Sequence, residues 1–170
     1  MTRTFALAAF AAALAVPAFA QQSSQTATAD FVGKNGKEAG RAALTAGKEG
    51  VLIEVEVTGL PPGTWVAFHV HETGECDAAH GHKSAGSHFN PGKTEHGFLA
   101  ANGPHAGDMP NQYVGQDGVM RAQVFNSFVR LDDRTLGIRG RALMVHAKSD
   151  DNRSQPAGDA GDRLACAVIK

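Results

Sequence analysis

The chain has 170 residues, is 42% hydrophobic, and carries 16 basic against 17 acidic residues for a formal net charge of −1. That balance excludes a strongly basic nucleic-acid binder and a polybasic membrane surface. Beyond the first 20 residues, Leu, Ile, Val and Phe make up only about 19% of the chain, near the level of disordered proteins but without their high net charge. The composition therefore describes one small domain with a thin core, ordered by something besides apolar burial.

Residues 1–20 read as a secretory signal peptide. Arg3 supplies the positive start, residues 5–16 form an apolar run, and Ala18-Phe19-Ala20 is a small-x-small cleavage site. An apolar run of 12 residues ended by Pro17 is too short to span a bilayer. No cysteine stands near the cleavage site to take a lipid. The mature chain is thus expected to be exported and free of the membrane, with residues 21–28 as a polar, flexible lead-in and residues 29–170 as the domain.

After the lead-in the pattern has period two. Val51, Ile53, Val55 and Val57 alternate with Glu54 and Glu56, predicting a strand over residues 51–57. Gly59-Leu60-Pro61-Pro62-Gly63 is a turn, and a second strand is expected over residues 65–71. Tyr113-Val114 and residues 119–125 flank Gly115-Gln116-Asp117-Gly118 as a hairpin-like link, and further strands are expected over 142–147 and 164–169. No stretch beyond the leader has a convincing helical period. The fold class is all-β, most simply a sandwich or barrel of short strands.

Two stretches resist strand assignment. Residues 72–110 hold 7 Gly and 3 Pro with almost no apolar pattern, and residues 148–162 are rich in Asp and Gly. Unstructured loops this long are usually functional in a compact domain. Cys76 and Cys166 are the only cysteines, so an exported chain has one intramolecular pairing available.

Histidines supply the reason for the long loop. His69 and His71, one residue apart on a strand, leave the same face, while Val66, Phe68 and Val70 pack the other. Alone, such a pair is more often solvated than ligating. The loop then adds His88, His96, His105 and Asp108, three imidazoles and a carboxylate suited to a closed tetrahedral zinc shell. Such a shell would order a loop that cannot bury enough apolar surface to order itself. His146 ends a strand and can join His69 and His71. With His88 shared, the four imidazoles favour copper over calcium or magnesium. His80 and His82 fall outside both groups and read as a solvated loop pair, with auxiliary copper loading as the alternative.

Those residues carry a resemblance. Phe68-His69-Val70-His71-Glu72, Cys76, Ser87-His88-Phe89-Asn90-Pro91, His105-Ala106-Gly107-Asp108, Val145-His146-Ala147 with Asp150-Asp151, and Gly158 through Cys166 resemble copper/zinc superoxide dismutase, nearly throughout the mature chain. The leader and the short Cys76 loop are similar to the bacterial periplasmic branch. The resemblance implies a Greek-key β-sandwich or barrel of about eight antiparallel strands with two long functional loops. It implies one copper ion per subunit on His69, His71, His88 and His146, and one zinc ion per subunit on His88, His96, His105 and Asp108. In that reading His88 bridges the metals as an imidazolate, Asp150 links a copper-ligand to a zinc-ligand histidine, and Arg163 stands beside the copper to attract superoxide. Cys76 and Cys166 match the family disulfide, and the implied site of action is the periplasm.

Two positions depart from the family. Ala67 and Ala167 stand where glycines are usual, and the Ala67 methyl is expected to press on the ligand strand. Two other classes stay open from the residues alone: a copper carrier without turnover, and a zinc-stabilised structural domain. Trp65, Tyr113 and Phe128 are apolar candidates for a homodimer surface.

Overall fold

A computed structural model describes residues 25–170, so the expected leader lies outside the described residues. Nine strands run in chain order: β1 Thr26–Gly33, β2 Glu38–Ala46, β3 Val51–Val57, β4 Trp65–Val66, β5 Phe68–His71, β6 Gln112–Tyr113, β7 Met120–Asn126, β8 Ala142–His146 and β9 Arg163–Val168. Seven form one curled antiparallel sheet in the order β5-β8-β9-β1-β2-β3-β7, and β4 pairs with β6 separately. Only Ala67 separates β4 from β5, and the Val114–Met120 bridge joins the β6 segment to β7. The small sheet therefore connects the two edges of the large one. Among the described residues the only helical turns are two 3₁₀ turns, Ala78–His80 and Lys83–Ala85.

The clearest strand in the sequence is the clearest in the structure. In β3 the four valine and isoleucine positions are buried, while Glu54 and Glu56 are exposed. β7, β8 and β9 each lie within one residue of the expected bounds. The expected strand over 65–71 breaks at Ala67. There the main-chain N–H donates to Lys148 O at 2.8 Å and the carbonyl accepts from His146 N at 2.9 Å. The Ala67 methyl is fully buried in this exchange of partners.

β1 and β2 have no counterpart among the expected strands, and β1 takes in Thr26 to Thr28 of the expected lead-in. Ala27, Ala29 and Phe31 face the core from β1, and Ala39, Ala42 and Leu44 from β2. Alanine contributes little hydrophobic contrast, and the pairing slips between Phe31 and Val32, so the alternation in β2 changes phase near Gly40. Thr26 nonetheless pairs with Thr45, which anchors the start of the barrel.

The Cys76–Cys166 disulfide is formed, with Cα atoms 5.6 Å apart. It ties the long loop to β9. A bond of this kind suits an extracytoplasmic protein.

Candidate metal centre

β5 presents both side-chain faces to protein. Phe68 and Val70 enter the core, as expected, but the opposite face is not solvent: His69 and His71 are also buried. The long loop covers them. Val70 N–H donates to Gly107 O at 2.9 Å, Phe89 N–H to Val70 O at 2.8 Å, and Gly107 N–H to Phe89 O at 2.8 Å. Gly107 permits this approach, because a Cβ there would lie 2.3 Å from Val70 O.

The loop brings the expected residues into two buried groups that share His88. His69, His71, His88 and His146 form one, and His88, His96, His105 and Asp108 the other. Within each group the candidate ligand atoms lie within 4.8 Å of one another. Asp108 Oδ1 is 2.9 Å from His88 Nδ1, 3.1 Å from His96 Nδ1 and 3.4 Å from His105 Nδ1. Its other oxygen accepts from the Gly97 and His105 main-chain N–H groups at 2.9 and 3.0 Å, so the carboxylate is fixed at both ends.

Asp150 joins the two groups. Its Oδ2 accepts from His69 Nε2 at 2.9 Å and its Oδ1 from His96 Nε2 at 3.0 Å. A neutral imidazole that donates through Nε2 leaves Nδ1 unprotonated and able to ligate. His69 Nδ1 is in fact buried without a partner. His71 Nδ1 pairs with Gly86 O at 3.0 Å and His146 Nδ1 with Gly161 O at 3.4 Å, which leaves both Nε2 atoms bare and 3.3 Å apart. His88 Nε2 is also buried and unpartnered. Four bare imidazole nitrogens therefore converge on one point, an arrangement that repels itself unless a cation lies among them.

Electrostatics agree with that geometry. Burial, then the neighbouring His69, lowers His146 to about 3. Burial lowers His88 to about 4, although Asp108 opposes it. Burial, His88, His146 and Arg163 likewise hold His71 well below its ordinary value. These rings stay neutral and able to ligate. In the second group burial lowers His96, but the Asp108 and Asp150 carboxylates outweigh it and raise the ring to about 9. Burial pushes both carboxyls up, yet their imidazole and main-chain donors hold them well below the usual carboxylate range.

The donor sets fit the metals they suggest. Three imidazoles and a carboxylate match a closed zinc shell, and four imidazoles match copper. Orphaned nitrogens on His69 and His88 in the first group, and on His105 in the second, mark the places where a metal would complete the bonding.

A cavity of about 500 Å³ opens onto the first group, lined among others by His71, His88, His146, Gln155 and Arg163. Arg163 is aimed by two carbonyls: Nη1 donates to His82 O at 2.8 Å and Nη2 to Gly86 O at 2.6 Å.

Several supporting residues carry no signal in the sequence. Gln155 clasps the His96 main chain, accepting from its N–H and donating to its carbonyl, both at 2.9 Å. Asn111 likewise takes the Asp150 main chain from both sides, at 2.7 and 2.8 Å. Gly158 makes room for the carboxylate bridge, since a Cβ there would fall 1.8 Å from Asp150 Oδ1. The expected solvated pair His80 and His82 divides. His80 is exposed beside Asp77, whereas His82 is completely buried.

Comparison with known proteins agrees with the fold and with copper and zinc as the metals. Residues 38–169 match the family model for copper/zinc superoxide dismutase. The chain is 47% identical over 146 residues to the Cu-Zn superoxide dismutase 1 of Aquifex aeolicus, covering 84% of this chain and 86% of that one. Among solved structures it resembles a superoxide dismutase-like protein of Bacillus subtilis, at TM-score 0.79 and 32% identity over 84% of this chain and 97% of that one. It also resembles the Cu/Zn superoxide dismutase of Brucella abortus, at TM-score 0.71 and 29% identity over 86% of this chain and 100% of that one.

Proposed function

The chain belongs to the copper/zinc superoxide dismutase family, and on that premise we propose which of its residues perform the reaction. The enzyme converts two superoxide anions and two protons into dioxygen and hydrogen peroxide, using copper and zinc. Copper supplies the one-electron oxidation and reduction, and zinc a fixed positive charge without redox chemistry. Copper would be held by His69, His71, His88 and His146, and zinc by His88, His96, His105 and Asp108.

The observation that carries this reading is the position of His88. Its Nδ1 faces the Asp108 carboxylate in one group, while its Nε2 is bare in the other. A ring with a metal on each nitrogen would be an imidazolate, and His88 Nε2 would be the atom that holds a proton for the reduced substrate when it carries no metal. Asp108 holds the ring's other nitrogen in place meanwhile. Asp150 keeps His69 and His96 in the tautomers that aim Nδ1 inward. Arg163 keeps its charge at any physiological pH, draws the small anion into the cavity and orients it.

The mature enzyme is exported to the periplasm after removal of residues 1–20 and works there free of the membrane. Trp65 and Tyr113, exposed and stacked edge to face with centroids 5.4 Å apart, are the apolar surface for a homodimer. Metal analysis and superoxide consumption on one sample test the whole reading. One copper and one zinc per chain with turnover are expected. Copper without turnover would return the carrier alternative, and zinc alone the structural one.

A further inference from the structure

His82 takes no part in either metal group, yet it is one of the least favourable residues in the molecule. Its side chain is wholly buried, and neither ring nitrogen makes a hydrogen bond of good geometry among the described residues, although the Gly33 main chain lies beside it. Leaving a neutral polar group in that state costs roughly 1–3 kcal/mol. Its backbone is also left-handed, at φ 58°, a region that few residues other than glycine adopt. Unfavourable features held at one residue persist when the surroundings over-determine them, and they cluster at functional sites.

The surroundings explain what is held. His82 N–H donates to Asp77 O at 2.7 Å, and Ala85 N–H to His82 O at 3.2 Å, so the main chain turns tightly from His82 to Gly86. The two ends of that turn supply the two carbonyls that grip Arg163. The ring lies at the end of β1, beside the Gly33 main chain. The turn itself has only one other buried side chain, Ala85. The ring and Ala85, which packs against Ala142, Met144 and Cys166, are the two buried side chains that seat the turn on the barrel.

We propose that His82 is a positioning residue for Arg163, its buried ring acting by shape to fix the His82 and Gly86 carbonyls that aim the guanidinium at the cavity. The ring nitrogens take no part. An apolar ring of similar size does the same work, and a truncated side chain does not. This inference rests on the assignment of Arg163 as the anion-orienting group, and its test separates the two.

The copper- and zinc-loaded protein is compared with His82→Ala and His82→Phe. Azide, a small anion, probes the cavity through its inhibition constant. Hydrogen exchange of the Arg163 guanidinium, followed by NMR in the reduced holoprotein, reads the grip on the arginine without turnover. In His82→Ala the azide constant and the exchange rate should both rise on the order of tenfold, less than the roughly hundredfold that a full ångström of misplacement can cost. Metal content and the copper EPR spectrum should stay as in the parent. His82→Phe should match the parent within about twofold, because volume-conserving swaps in packed sites are tolerated best.

Unchanged exchange in His82→Ala overturns the proposal, as does a His82→Phe protein as impaired as His82→Ala. An altered copper spectrum also overturns it, since His71 shares the Gly86 carbonyl and the effect would then run through the ligand. If His82→Ala does not fold, the Phe variant decides alone. Faster arginine exchange with an unchanged azide constant would retain the grip and reject Arg163 as the anion-orienting group.

Discussion

Replacing Asp150 by Asn separates the two metals. The carboxylate has three donors, His69 Nε2 on Oδ2 and His96 Nε2 and Asn152 N on Oδ1, while the Asp150 main-chain N–H donates to Asn111 Oδ1. An asparagine keeps one carbonyl oxygen, and two donors compete for it on the Oδ1 side. The amide NH2 therefore falls on the Oδ2 side, facing His69 Nε2, because the reverse placement sets it against the Asn152 and His96 N–H groups. His69 must then move its proton to Nδ1, the bare nitrogen of the copper group. Partners of this kind are worth about 10–100-fold in metal affinity, or roughly 1.4–2.7 kcal/mol. Asp150→Asn should lose that factor for copper and distinctly less for zinc, since His96 retains its acceptor. Competition against a chelator, run for each metal in turn, measures both. A greater loss for zinc than for copper, or no loss for either, would refute the tautomer argument. Asp150→Ala, which strips both imidazoles of their acceptor, should weaken both metals.

Arg163→Glu should slow superoxide consumption and invert its dependence on ionic strength, because salt then screens a repulsion instead of an attraction; an unchanged salt slope counts against steering. The metal-free, disulfide-intact protein should be most stable near pH 6.5. As pH falls below that value the unfolded chain takes up protons that folded His71, His88 and His146 refuse, and for His88, held at about 4 against 6.5, the full loss is about 3 kcal/mol. His96 acts in the opposite sense: raised to about 9, its contribution is complete below 6.5 and disappears as pH rises through 9. Urea unfolding from pH 4 to 9.5 checks both limbs, and a flat profile would contradict them. Cys76→Ser should cost about 4–5 kcal/mol if closing a loop of 90 residues acts through unfolded-chain entropy. A loss below about 1 kcal/mol would reject that cause.

The legibility of the chain depended on contrast. β3 could be bounded to the residue because valine and isoleucine alternate with glutamate across a sheet with one wet face. β1 and β2 were invisible because their core side is mostly alanine and a bulge shifts the phase. Ligand candidates stood out as histidines and one aspartate in a loop with no apolar pattern. Their support did not, since Gln155 and Asn111 act through main-chain groups that a sequence does not display. His82 reads as solvated in its polar loop, and only the three-dimensional seat of the turn reveals it as buried.

The shared ring of His88 is the centre of the assignment, and it can be measured directly. With copper(II) placed in both sites, an imidazolate through His88 couples the two unpaired electrons, so the EPR signal of the doubly loaded protein should be strongly suppressed. In His88→Ala any copper that still binds should give the signal of isolated ions. A parent spectrum equal to the sum of two independent coppers would contradict the bridge, and with it the division of ligands between the two groups.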